Sequence, residues 1–131
     1  MKIEKGFLIA VLCATVGLMG FGLKKTTNYG LVTKKSTMEW KGKKLGGQHV
    51  GTVDLKSGSF SLKDDVVTTG SFVIDMTTLV PTDLKGNDKK KLTRHLRGED
   101  FFNVSKHPTA TLAIKESKST GDKLFDVTAD L

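Results

Sequence analysis

The chain has 131 residues, 37% hydrophobic and 27% charged, with a formal net charge of +7. That is one domain of ordinary globular composition, and its basic balance suits nucleic acid, an anionic membrane surface or an anionic ligand. Its one cysteine, Cys13, lies in an N-terminal apolar run, so removal of that run leaves no disulfide framework, thiol nucleophile or thiolate metal site.

Met1 to Lys5 is a short charged segment, and Gly6 to Gly22 is uncharged and rich in Leu, Val, Ala and Gly. This reads as a secretory signal over residues 1–22, with small residues at Gly20 and Gly22 before a mature start near Leu23. The run is at the short limit for a span, for which roughly 20 apolar residues are needed. Leu12 stands before Cys13 where a lipoprotein site needs a small residue, so lipidation is not expected. Loss of Lys2, Glu4 and Lys5 lowers the net charge by one, and export to a periplasmic or extracellular location argues against nucleic acid. The scattered lysines suit solvated faces that blunt sheet edges.

Residues 23–131 form the mature domain. Large residues fall on odd positions at Tyr29 and Leu31 and on even ones at Met38 and Trp40, so a bulge or short turn is predicted near Lys34-Lys35. A glycine-rich turn follows at Gly42 to Gly47, then short strands at Val50–Leu55 and Ser59–Leu62, split by Ser57-Gly58. Val67 to Met76 is the clearest strand, with Phe72, Ile74 and Met76 on one face and Ser71, Val73 and Asp75 on the other. Thr77 to Gly86 lacks a pattern, and Pro81 argues against a central strand there. Asn87 or Asp88 can cap a helix running to Arg97, on which Leu92, His95 and Leu96 share a face. Gly98 suits a left-handed cap, and Phe101-Phe102 suits an apolar plug clamping helix to sheet. Thr109 to Ile114 alternates as a strand, and Phe125, Val127, Ala129 and Leu131 alternate in a last one after the Ser119–Gly121 turn. Short strands with turns every ~8–12 residues indicate an all-β antiparallel sandwich or barrel with one helix.

Three ordered motifs narrow this. His95-Leu-x-x-x-Asp100-Phe-Phe-x-Val104-x-x-x-Pro108-Thr-Ala-Thr111, Trp40-Lys-Gly-Lys with Gly46-Gly-Gln-His-Val-Gly51, and Gly70-Ser-Phe-Val-Ile-Asp-Met76 followed by Asp83 resemble the YceI-like family. The resemblance covers about Asn28 to Leu131 and implies an exported, lipocalin-like antiparallel β-barrel, some members of which bind polyisoprenoids. In the family the last apolar strand resembles an internal one, so the chain reads as a fragment whose barrel is expected to be open near Leu131.

No catalytic pattern stands out. His49, His95 and His107 lack metal-ligand spacing, and Asp75, Asp83, Glu99 and Asp100 form no acid–base pair. Trp40, Phe72, Ile74, Met76, Phe102, Leu112 and Ile114 could pack as an ordinary core; the resemblance implies instead that they line an elongated cavity, with His95 at its mouth. Lys89, Lys90, Lys91, Arg94 and Arg97 could serve an anionic head group or a solvated basic surface. The function expected is burial of a long-chain lipid, with no cofactor beyond such a lipid and no catalysis. Transient membrane contact and dimerisation are compatible with it. The alternatives are an envelope or stress accessory protein with a packed barrel, and an enzyme or redox accessory using the histidines.

Overall fold

The computed structural model describes residues 25–131; the leader expected at 1–22, with Cys13, lies outside the described residues. The elements are β1 (Thr26–Gly30), a 3-10 turn (Thr33–Lys35), β2 (Met38–Lys44), β3 (Gly47–Lys63), β4 (Val66–Pro81), α1 (Gly86–Arg97), β5 (Thr109–Gly121) and β6 (Leu124–Asp130). All strand pairs are antiparallel, in the order β1-β3-β4-β5-β6. β2 pairs with Gly47–Val53 of β3 and β1 with Ser59–Lys63, so the two lie end to end along one edge. The 3-10 turn between them is the predicted parity break.

The long strands keep an apolar inner face by means of bulges, because each extra residue resets which parity points inward. Leu55 pairs with Ile74 and Ser57 with Val73, leaving Lys56 extra. The inner set on β3 thus passes from Gly51, Val53 and Leu55 to Gly58, Phe60 and Leu62. Where the sequence suggested two strands split at Ser57-Gly58, there is one strand with a bulge. Thr68 on β4 and Lys115 on β5 are extra in the same way.

β4 also runs further than expected, to Pro81, which is fully buried opposite Gly51. β5 pairs with β4 only over Gly70–Asp75, so Pro81 ends the strand where β5 no longer pairs with it and the ring has no ladder bond to break. The irregular stretch before it is satisfied locally. Asp75 accepts the Thr77 N–H at 3.0 Å and the Thr77 hydroxyl at 2.5 Å, and Thr78 Oγ1 donates to the Asp75 carbonyl and accepts the Asp54 N–H, each at 2.8 Å.

Helix α1 lays Leu92 and Leu96 on one end of the inner face, joining Val53, Ile74, Met76, Leu79 and Val104 in the core, with Trp40 and Met38 packed against it. Three expectations change here. The helix starts after Lys85 with no side-chain cap, and Gly86, at φ +55°, supplies the bend that Asn87 or Asp88 was expected to cap. Gly98 is extended at φ −72°; the left-handed residue of this connection is Asn103, at φ +45°. Phe101 and Phe102 are 55% and 43% exposed, so they are not the plug. Phe102 N–H donates to the Leu96 carbonyl (3.1 Å) and Val104 N–H to that of Arg97 (3.0 Å). These bonds pin the loop so that Val104, 6% exposed, takes the buried position instead.

Among the described residues the result is an all-β, lipocalin-like sheet with one α-helix, curled but not closed: β6 is one edge and β1 with β2 the other.

Candidate functional groove

Among the described residues no helix covers the other end of the inner face. There the curled sheet encloses an open groove of about 920 Å³. Tyr29 of β1, Met38 of β2, Leu55, Phe60 and Leu62 of β3, Val67 and Phe72 of β4, Leu112 and Ile114 of β5, and Phe125 and Val127 of β6 line it. Residues from both edges face one space because the bulges keep the apolar parity inward along the long strands β3, β4 and β5. Met38, Leu55 and Leu112 also touch the helix-covered core, so the groove ends on that core as its floor.

Two aromatic–glycine pairs shape the inner face, one in the core and one in the groove wall. Trp40 lies across from Gly51 and Phe72 across from Gly58. A β-carbon on Gly51 would sit 2.4 Å from the Trp40 ring, and one on Gly58 would sit 2.3 Å from the Phe72 ring. Each ring therefore lies flat on its neighbouring strand. The Trp40 indole N–H donates to the Thr52 carbonyl at 3.3 Å, which fixes it in the core. Tyr29 stacks on Phe60 with ring centres 5.2 Å apart, building the wall at the β1 edge.

The polar lining gathers at the far end, in two hairpin tips. Asp65 belongs to the β3–β4 turn, where Asp64 and Asp65 both take positive φ (51° and 58°) as a two-residue turn of this twist requires. Asp122 and Lys123 belong to the β5–β6 turn. Ser117, below that turn, faces inward and donates to the Val67 carbonyl at 2.6 Å.

The residues singled out from the sequence divide into three groups. Phe72, Leu112 and Ile114 line the groove. Trp40, Ile74 and Met76 lie in or against the packed core beneath α1. Phe102 and His95 lie outside the groove: His95 is exposed and meets Phe101 at 5.8 Å between ring centres, and Phe101 meets Phe102 edge-on at 4.7 Å. The basic side chains of α1 also stay clear of the groove; Lys89, Lys90, Arg94 and Arg97 border a separate shallow surface with Gly86 and Gly98. Arg97 Nε donates to the Leu79 carbonyl at 3.0 Å, an anchoring role.

Tyr29, Met38, Leu55, Phe60, Leu62, Val67, Phe125 and Val127 are wall residues that the sequence did not single out. The signal was present in Phe60 and Leu62, which alternate with Ser59 and Ser61, and in Phe125 and Val127, which alternate with Asp126 and Thr128.

The remaining candidates are dispersed. His49 Nδ1 and Asp83 Oδ2 are 2.9 Å apart, joining β3 to the loop before α1. This hydrogen bond holds the Asp83 carboxyl below the ordinary carboxylate value. The Thr77 hydroxyl lowers that of Asp75 likewise. Among the described residues no cluster of three or more His, Cys, Asp or Glu side chains could hold a metal ion.

Residues 29–131 match the YceI-like domain. A UPF0312 protein of Azotobacter vinelandii is 53% identical over 38 residues, which is 29% of this chain and 20% of that protein. One from Pseudomonas putida is 33% identical over 95 residues, covering 72% of this chain and 47% of its own. One from Pseudomonas fluorescens is 28% identical over 126 residues, covering 94% and 64%. The chain thus spans between a fifth and two thirds of the length of these relatives. With a matched domain that takes in every wall of the groove, the chain belongs to the YceI-like family.

Proposed function

We propose that the protein is an exported lipid carrier that holds the tail of a polyisoprenoid or similar long-chain amphiphile in the groove. One observation supports this above the rest: the inner face continues as aromatic and aliphatic side chains from the helix-covered core to the hairpin tips, and none of the described residues roofs its outer half. About 920 Å³ lies within the range of ~300–1,000 Å³ usual for small-molecule sites. Each methylene withdrawn from water contributes about 0.8 kcal/mol, so a tail of ten or more carbons needs no polar contact along its length. The chemistry is reversible burial, not bond making.

The head group belongs at the hairpin tips, beside Asp65, Ser119, Asp122 and Lys123, and not at the basic helix, which lines none of the groove. This replaces the head-group role first considered for Lys89, Lys90, Lys91, Arg94 and Arg97.

Native mass spectrometry of the full-length protein purified from its own envelope tests the reading. It should show a mass adduct that organic extraction releases as a long-chain lipid. A bare protein mass, unaltered after incubation with an isoprenoid alcohol, would favour the packed accessory barrel instead.

A further inference from the structure

The end of the sheet remote from the groove's hairpin tips is strongly basic, yet it also carries a fully exposed leucine. Leu45 stands at the tip of the β2–β3 hairpin, fully exposed, beside Gly46 at φ +81°. Lys41, Lys43 and Lys44 flank it and are exposed as well. The hairpin shares this end with the start of α1, because His49 meets Asp83 at 2.9 Å and Thr82 N–H donates to the Val50 carbonyl at 2.9 Å. The loop and helix add Lys85, Lys89, Lys90, Lys91 and Arg94, against Asp83, which is engaged by His49, and Asp88. Among the described residues none of these lysines is in an ion pair.

Neither Leu45 nor the helix lysines serve the fold. Lysines at a helix N-terminus oppose its dipole, and a leucine with no neighbour buries nothing. A soluble polyanion would neutralise the lysines and leave Leu45 in water. A bilayer with anionic headgroups takes both, charge at its surface and an apolar side chain at the acyl boundary.

We propose that this end docks on an anionic lipid bilayer, with Leu45 entering the headgroup boundary and the lysines of hairpin and helix facing the lipid phosphates. None of these residues lines the groove, so docking and cargo binding fail independently.

The test is co-sedimentation of the full-length exported protein with vesicles of phosphatidylcholine alone or mixed with phosphatidylglycerol. Binding should require the anionic lipid and weaken with salt. Each charge removed in Lys43→Gln/Lys44→Gln should cost about fivefold in affinity, while the equally charged control Lys56→Gln/Lys118→Gln, placed elsewhere on the sheet, should bind as the parent does. Leu45→Asp should weaken binding, and Leu45→Trp should shift its emission to the blue on anionic vesicles only. Equal binding to both vesicles, no shift for Leu45→Trp, an equal loss in the control, or full retention by Leu45→Asp would each overturn the proposal; the last would point to a soluble polyanion.

Discussion

The two ends of one inner face make the informative contrast. At one end Ile74, Met76 and Val53 are buried beneath Leu92 and Leu96; at the other Phe72, Phe60 and Ile114 have the same alternation and the same strands, and among the described residues no helix lies above them. Strand pattern therefore decides which way a side chain points, and the second layer decides whether it becomes core or wall. A residue such as Leu112, touching both, marks the border.

That contrast can be broken by substitution, and the largest effects belong to the covered end. Ile74→Ala and Leu96→Ala should each destabilise the protein by about 2–5 kcal/mol in denaturant unfolding, since neither site can fill the space left behind. Ile114→Ala, in the groove, should cost distinctly less stability while weakening a bound isoprenoid; equal stability losses at both ends would erase the distinction.

Next come the aromatic–glycine pairs. Gly51→Ala places a methyl group 2.1 Å from the Val80 carbonyl oxygen, where backbone must move, and should cost about 1–3 kcal/mol. For Gly58→Ala the three nearest atoms all belong to the Phe72 ring, the first at 2.3 Å. Since that ring borders the groove, it can swing into it, so this variant should lose cargo affinity more than stability in paired titration and melting experiments.

The smallest effect is electrostatic. The His49 contact lowers the Asp83 pKa, so its stabilising contribution is present above the ordinary carboxylate value of ~3.9 and is lost as pH falls below about 4 through the folded value. Asp83→Asn should flatten that part of the acid limb in pH-dependent unfolding, without affecting the groove.

Much of the architecture was legible because alternation is a local signal. The inward set Phe72, Ile74 and Met76, the parity break near Lys34-Lys35 and a helix bearing Leu92 and Leu96 all follow from spacing along the chain. The bulges were not legible, since Lys56, Thr68 and Lys115 are extra only relative to a partner strand. β3 therefore read as two strands and β4 as ending before Pro81. Hydrophobicity alone misjudged Phe101-Phe102, because backbone bonds to the end of α1 hand the buried place to Val104. The site was half legible for the same reason. Spacing found the inner face, but only the position of the helix separates Ile74 and Met76 from Phe72 and Ile114.

The central claim is that the uncovered half of this face is a space for a hydrocarbon tail. A crystal structure of the full-length protein purified with its envelope lipids tests it most directly. Continuous tubular density between Phe60, Phe72, Ile114 and Phe125 is the predicted result; the same region filled by the protein's own side chains would contradict it.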